Sequence, residues 1–255
     1  MLMNYFFGIK NNIFKSEIQI PLFKNRVSKP SNLNLFKCYP KNNKWILKNI
    51  SEKKINNFFF ILNNEDISNN EVYFLADKNL DKDFKGDKLE NFNSFTNTKP
   101  EFRANLKIYL REGGFSSYQS EYPYSMITKK GNILSSISSL ANQDAEKNYI
   151  FLRNIYEKPI EDKFKAYLVN YKTKIIEEIF ELITNNTNII EIKKKLIKPE
   201  IFLITKDYLG IPMFVSVNDN FLSFEHTHPP HEYILSKDKF DKVSNLKKEL
   251  NEIIA

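Results

Sequence analysis

Phe102-Arg103-Ala104-Asn105-Leu106-Lys107-Ile108-Tyr109-Leu110-Arg111 is the stretch of this 255-residue chain that decides the fold class. Apolar side chains at the even-numbered positions alternate strictly with more polar ones at the odd-numbered positions. A period of two is typical of a β-strand with one buried face and one polar face. The glycines at positions 113 and 114 then predict a turn. The stretch therefore predicts a strand with one side in a core and the other side in solvent.

Short segments of similar composition recur on both sides of this strand. They are rich in β-branched and aromatic residues and are bounded by Asn, Lys and Pro. The predicted strands cover 17–23, 45–47, 57–62, 72–75, 149–156, 164–171, 200–205, 212–217 and 221–226. The chain contains no internal sequence repeat that we can detect. Together these segments predict a mainly β protein, either an antiparallel β-sandwich or an open barrel.

The C-terminus is predicted to form an amphipathic helix that packs on this sheet structure. Ser236 can cap its start, and Asp238 follows in the first turn, where a negative charge is favourable. Its apolar residues form a single stripe that consists of Phe240, Val243, Leu246, Leu250 and Ile253. We expect this stripe to be buried against the same molecule rather than to bind a partner.

The segment 174–183 has an ambiguous pattern. Its apolar residues follow helical spacing, with glutamates on the other side of the helix. They are Ile175, Ile176, Ile179, Phe180 and Ile183. Thr173 and Lys174 can instead close a β-hairpin, but the spacing favours a helix.

Length and composition predict a single β-rich domain that spans residues 1–255. The polar segment 77–100 contains few core-forming residues, so it is either a long surface loop or a subdomain boundary between 1–76 and 101–255. One cysteine, Cys38, excludes an internal disulfide framework and suits a reducing compartment. The chain has no run of eighteen apolar residues and no signal-peptide pattern at its start, so we expect a cytoplasmic protein without a membrane span.

The net charge of +7 does not predict specific nucleic-acid binding. Only four of the 38 basic residues are arginines, the residue that makes bidentate contacts to phosphate and guanine. The lysines are spread along the chain and interleaved with acidic residues. A solvated basic surface accounts for this pattern, and only diffuse attraction to anionic surfaces is expected.

All three histidines fall within six positions, in the run Glu225-His226-Thr227-His228-Pro229-Pro230-His231-Glu232. If 221–228 is extended, His226 and His228 lie on one face, together with Leu222 and Phe224. The two prolines end the strand, and the turn they impose can return Glu232 toward the same point. Two histidines and one carboxylate can hold zinc, iron or manganese, so His226, His228 and Glu232 are the predicted metal ligands.

The spacing His226-x-His228-x-x-x-Glu232 resembles the first metal motif of the cupin family. That resemblance implies a β-barrel with a metal bound inside its mouth. The chain departs from the family pattern, because no glycine follows at the usual place and no further histidine exists to serve as a fourth ligand. We therefore do not assign the chain to that family.

Two other interpretations of the histidine cluster remain open. In the first, a histidine, with His231 the candidate, acts as a general acid or base that Glu225 or Glu232 orients, without a metal. In the second, the cluster is a rigid loop whose histidines are only hydrogen-bonded.

Four residues outside the cluster are candidate ligand contacts. Arg103 lies on the polar face of the alternating strand, where an anion can approach it. Arg153 lies within an apolar strand, so it needs an acidic partner or a bound anion. Tyr118 and Tyr122 belong to a segment of tyrosines, serines and amides that resembles a carbohydrate-contact surface, although a β-hairpin with aromatic cross-strand pairs has the same composition.

These observations leave two functional hypotheses. In the first, the protein is an enzyme or enzyme-like binder for a small polar molecule such as a sugar or sugar nucleotide, with the histidine cluster in its pocket. In the second, it is a non-enzymatic β-sandwich module of a larger protein assembly.

Overall fold

The computed structural model describes residues 4–22, 33–56, 58–76, 80, 84–89, 104–110, 115–219, 221–226 and 239–255. Strands make up 50% of the structure and helices 12%, so the prediction of a mainly β protein is confirmed. All pairs among the described strands are antiparallel. The predicted C-terminal helix is also present, as helix α2 (Lys239–Ile253).

The first half of the chain forms two sheets. Sheet I has the order β5-β2-β7-β8 and consists of β2 (Lys15–Pro21), β5 (Phe59–Leu62), β7 (Asn105–Tyr109) and β8 (Phe115–Gln119). Sheet II has the order β4-β3-β6 and consists of β3 (Asn34–Lys41), β4 (Lys44–Asn49) and β6 (Val72–Ala76). The alternating stretch of the sequence is strand β7, in which Leu106 and Ile108 are fully buried, as predicted.

The second half forms two further sheets. Sheet III has the order β14-β11-β16-β17 and consists of β11 (Lys147–Arg153), β14 (Thr187–Ile192), β16 (Ile211–Asn218) and β17 (Phe221–His226). Sheet IV has the order β10-β15-β12-β13 and consists of β10 (Leu134–Ser136), β12 (Lys163–Asn170), β13 (Ile175–Ile183) and β15 (Ile201–Thr205). The described residues also form a short strand pair, β1 (Asn4–Tyr5) with β9 (Tyr122–Pro123), a one-turn helix α1 (Tyr124–Ile127) and two 3-10 turns, Ser51–Lys53 and Lys194–Leu196.

The arrangement of the four sheets reads as a four-bladed, propeller-like ring rather than as a clear two-sheet sandwich. The finer prediction of a sandwich or open barrel therefore needs correction. Alternating patterns determine which face of each strand is apolar, but they do not determine how many sheets share the resulting core. The segment 77–100 lies between β6 and β7, and sheet I contains strands from both sides of it, because β2 pairs with β7.

The two halves repeat one strand order. We number the strands 1 to 7 within a first unit, β2 to β8, and within a second unit, β11 to β17. Sheets I and III then both have the order 4-1-6-7, and sheets II and IV both contain the order 3-2-5. Sheet IV carries β10 as an additional strand beside β15. The structure thus contains a repeat of topology that is not visible in the sequence.

Helix α2 packs on sheet IV. Leu250 is fully buried against Tyr167, Val169 and Ile204, whereas Leu246 is only partly buried. The side chain of Phe240 lies outside the described part of the helix. Neither described α-helix combines the length and the apolar character that crossing a bilayer requires.

The prediction of a helix at 174–183 is wrong, because this segment is strand β13. A turn that ends at Lys174, with φ of 59°, joins it to β12, and the side chain of Asn170 accepts hydrogen bonds from two backbone amides of that turn. A bulge shifts the β12–β13 register between Leu168 and Val169. Apolar side chains therefore lie on both faces of β13, and the sequence shows a helix-like spacing instead of a simple alternation.

Candidate functional site

A groove of about 370 Å³ lies between strands β8 and β17, which are the seventh strands of the two units. We call it the junction groove. Its described lining comes from β8, from β17 and from the start of β7. The lining residues are Ala104, Asn105, Ser116, Ser117, Tyr118, Gln119, Phe224, Glu225 and His226.

One wall of the junction groove is aromatic. The ring of Tyr118 lies 4.2 Å from the ring of His226, centroid to centroid, at an interplanar angle of 56°. The same tyrosine ring meets Phe224 edge-on at 5.7 Å. Phe224 and His226 are two residues apart on β17, so they lie on one face of the strand, as predicted. The buried Phe224 anchors Tyr118, whose ring in turn packs on the half-buried His226.

The other lining groups are amides, hydroxyls and one carboxylate. The register of sheet I aligns Gln19, Asn105 and Gln119 in one row across β2, β7 and β8. Within the described part of the chain, the Oδ1 atom of Asn105 is buried and has no hydrogen-bond partner. A buried acceptor without a donor is energetically costly, so this atom is a natural place for a ligand hydroxyl or amine. Glu225 is exposed at the edge of the groove.

The chemistry of the junction groove suits a small, uncharged and polar molecule. Two rings can cover an apolar face of a ligand, while amides, hydroxyls and a carboxylate can exchange hydrogen bonds with its polar groups. No lysine or arginine is among the described lining residues. The described lining therefore offers no cation to an anionic group.

Three of the residues predicted from sequence lie together in this groove. Tyr118 was predicted as a sugar contact, His226 as a metal ligand and Glu225 as a catalytic group. No sequence pattern connects Tyr118 with Glu225 and His226, because about a hundred residues separate them. Four further predicted residues, Arg103, His228, His231 and Glu232, lie outside the residues that the structure describes.

Arg153 lies away from the groove, fully buried at the end of β11. Its guanidinium donates hydrogen bonds to the carbonyl oxygens of Asn69 and Glu71 and, at 3.4 Å, to the Thr187 hydroxyl. Burial lowers the pKa of Arg153 to about 10, so it remains charged at neutral pH. These contacts connect the second unit to the first.

Glu71, whose carbonyl accepts from Arg153, has a side chain that is engaged elsewhere. One carboxylate oxygen is 2.6 Å from the ammonium of Lys37, and the other accepts a hydrogen bond of 2.6 Å from the Tyr73 hydroxyl. Arg153 is thus held by backbone carbonyls within a buried polar cluster, and its position gives it a structural role.

Tyr122 is fully buried in strand β9, and its hydroxyl is 3.5 Å from the carbonyl of Leu209. Burial raises the pKa of this hydroxyl. Its ring presents no exposed face to a ligand, unlike that of Tyr118.

Among the described residues, no group of three or more His, Cys, Asp or Glu side chains is placed to hold a metal ion. Of the three predicted ligands only His226 is described, so the prediction of a metal site stays a prediction. The single cysteine, Cys38, is buried in β3, and burial raises the pKa of its thiol well above the ordinary value.

Sequence reasoning missed Asn105 and Phe224 as site residues. Asn105 was visible as a polar-face residue of the alternating strand, but its role depends on which strand lies beside it. Phe224 was visible as an apolar neighbour of His226, and only its contact with Tyr118 gives it a part in the site.

Comparisons with known protein families, with curated proteins and with solved structures return no match for this chain.

Proposed function

We propose that this protein binds a small, neutral, polyhydroxylated molecule of the sugar class in the junction groove. The observation that carries the proposal is the close contact between the tilted rings of Tyr118 and His226 where β8 meets β17. This ring pair forms one wall of a groove that is otherwise lined mainly by hydrogen-bonding side chains.

The division of the lining into rings and polar groups supports a sugar more than an apolar ligand. A pyranose ring has an apolar C–H face that can pack on an aromatic side chain, and its hydroxyls can donate and accept at the same time. The orphan acceptor of Asn105 takes one such hydroxyl, and the exposed carboxylate of Glu225 accepts another. A sugar nucleotide needs a cation for its phosphates in addition, and the sequence predicts Arg153 or Arg103 for that role; of these two, Arg153 is engaged by backbone carbonyls away from the groove.

Direct binding measurements test this proposal. A panel of neutral mono- and disaccharides, one sugar nucleotide and one apolar control is titrated into the full chain by calorimetry. Tyr118→Ala is expected to weaken binding of the best saccharide by about tenfold or more, the usual loss for an aromatic anchor. Phe115→Ala is the matched control, because Phe115 belongs to the same strand, is 66% exposed and does not line the groove. Equal affinities of the two variants would argue against the junction groove as the binding site.

The proposal extends to a bound metal through His226, His228 and Glu232, with zinc, iron or manganese as candidates. Elemental analysis of untagged protein should find about one equivalent of metal per chain, and His226→Ala should lose it. Wild-type protein that contains no metal and gains no thermal stability from added metal would remove this part of the proposal. Catalysis by His231 and Glu225 stays a prediction that no described geometry supports further.

A second candidate function, a non-enzymatic interaction module, is favoured by one different observation. Strand β13 is the outer strand of sheet IV, and on one face it exposes Ile179 to 55% and Ile183 to 37%. Large aliphatic side chains on an outer strand are typical of a surface that another protein covers.

A further inference from the structure

A second and larger groove, of about 720 Å³, lies across one end of strands β14, β11 and β16 of sheet III. We call it the acidic groove. It is formed by the first residues of β11, the last residues of β14 and β16, and the segment around Ile13. It shares no lining residue with the junction groove.

The floor of the acidic groove is largely apolar. It comprises Ile13, Tyr149, Ile189 and Val217, and Ile189 is 43% exposed although it lies opposite the fully buried Phe151. This floor belongs to the face of sheet III that elsewhere forms the main core of the protein. At the edge strand β14 that face reaches solvent.

The rim of the acidic groove carries three carboxylates, Glu146, Glu191 and Asp219, all of them exposed. None of the three lies within 4 Å of a lysine or arginine nitrogen among the described ion pairs. The one lysine of the lining is Lys147. Burial raises the pKa of the Tyr149 hydroxyl and the negative charge of Glu191 raises it further, while the charge of Lys147 opposes this shift.

This concentration of negative charge is unusual in a chain with a net charge of +7. Because the net charge of the protein is positive, the rest of its surface repels a cationic partner. The electrostatic potential in the groove attracts one. The apolar floor adds a second requirement, because a simple inorganic cation would leave Ile189 and Val217 uncovered.

Strand geometry defines the partner more closely. Ile189 and Glu191 are two residues apart on β14, lie opposite Phe151 and Tyr149 of β11, and therefore point to the same face of the sheet. β14 is the outer strand of sheet III among the described strands. A peptide that extends alongside β14 would present its own alternate side chains to the same face, with a spacing of about 6–7 Å.

We propose that the acidic groove binds an extended peptide segment of another protein, one in which a lysine or arginine lies two residues from an apolar side chain. The apolar side chain covers Ile189, and the basic side chain pairs with Glu191, the carboxylate on the edge strand itself. This is recognition by addition of a strand to a sheet edge, with cross-strand pairs that provide specificity.

Fluorescence anisotropy with labelled peptides and the full chain tests this proposal. The probe is a seven-residue peptide, acetylated and amidated at its ends. It consists of threonines except for one leucine and one lysine, which are two positions apart. Two matched peptides replace either the lysine by glutamate or the leucine by threonine. The Leu–Lys peptide is expected to bind more tightly than both of them, and the difference from the glutamate peptide should shrink as salt is added.

Variants of the exposed groove residues locate the binding site. Glu191→Gln should weaken binding of the Leu–Lys peptide by about threefold to fivefold, the upper range for an exposed ion pair, and Glu191→Lys should weaken it more. Ile189→Ser should also weaken it, whereas Glu177→Gln on β13 is a control that should have no effect. Circular dichroism verifies that each variant is folded.

Three results would overturn the proposal. The first is equal binding of the three peptides, and the second is an affinity that neither Glu191→Lys nor Ile189→Ser changes. The third is displacement of the labelled peptide by free lysine amide at the same concentration as the peptide. The groove would then be a site for small organic amines.

Discussion

The two units of this protein share one strand order and add a further segment at the same place, but they differ in helix α2. In the first unit, the N-terminal segment pairs with the edge of sheet II, where Phe6 exchanges backbone hydrogen bonds of 2.7 and 2.8 Å with Tyr73 of β6. In the second unit, β10 lies beside β15, the strand equivalent to β6, and sheet IV also packs against helix α2. The same seven-strand topology therefore extends its second sheet in the same way in both units and accommodates a packed helix on sheet IV.

The central strands explain why the repeat is invisible in the sequence. β2 and β11 occupy equivalent places and are both seven residues long. In β2, Glu17 and Gln19 are only half-buried and alternate with buried residues, whereas every residue of β11 after Lys147 is buried. A strand that is covered on both faces needs apolar residues at positions where a half-covered strand carries polar ones. Equivalent positions consequently hold different residue types.

The units are connected by polar contacts rather than by apolar packing alone. Arg153 of the second unit donates to two carbonyls of the first, and the indole N–H of Trp45 donates to the carbonyl of Glu157 at 2.7 Å. The backbone amide of Thr187 donates to the carbonyl of Asn69 at 3.0 Å. The two units should therefore unfold as one, which the following substitutions test.

The largest effect is expected from Arg153→Ala. Loss of the guanidinium removes the side-chain donor of the buried Glu71 carbonyl and leaves the Asn69 carbonyl with only the Thr187 amide, so the free energy of unfolding should fall by about 3–5 kcal/mol. Urea unfolding followed by circular dichroism measures this loss, with Lys165→Ala on the exposed side of β12 as a control.

Trp45 fluorescence and alkylation of Cys38 report on the first unit, and the unfolding transitions that they show should shift together with the one seen by circular dichroism. An unchanged Trp45 transition would show that the units unfold separately.

A somewhat smaller effect is expected from Leu250→Ala in helix α2. Leu250 is fully buried on sheet IV, so its truncation should cost about 2–5 kcal/mol. Leu246→Ala should cost less, because Leu246 is only partly buried. Thermal unfolding of both variants makes the comparison. A loss at Leu246 as large as that at Leu250 would contradict the described packing of the helix.

The smallest effect is expected from Ile179→Thr on strand β13. Ile179 is 55% exposed, and threonine keeps the β-branched shape that a strand favours, so stability should change by about 0.5 kcal/mol or less. Thermal unfolding of the isolated protein provides the measurement. A loss of several kcal/mol would mean that Ile179 is covered in solution, for example by a second copy of the chain.

Much of the local structure could be predicted from sequence. The strict alternation in β7 and the apolar stripe of α2 each follow from contacts with a single buried face. The failure at β13 has the opposite cause, because Ile179 lies on one face of the strand and Phe180 on the other. The grouping of strands into four sheets could not be predicted, since local pattern carries no information on which strands are neighbours.

The candidate site could likewise be predicted only in part. His226 and Glu225 were predicted because histidine is rare in this chain. Tyr118 was predicted because tyrosines, serines and amide side chains surround it in the sequence. Their meeting in one groove depends on β8 lying beside β17, a contact between residues about a hundred positions apart. That the Oδ1 atom of Asn105 is buried without a hydrogen-bond donor can be recognised only when the positions of the surrounding strands are known.

Nuclear magnetic resonance of the histidine rings tests the central claim most directly. The chain contains only three histidines, so ¹⁵N-histidine labelling gives few signals, and His226→Gln assigns the one in the groove. The saccharide that binds best in calorimetry should shift the His226 ring signal until the site is saturated. Tyr118→Ala should abolish the shift and Phe115→Ala should preserve it. An unshifted His226 signal with every saccharide, or a shift that survives in Tyr118→Ala, would contradict the assignment of the junction groove as a sugar-binding site.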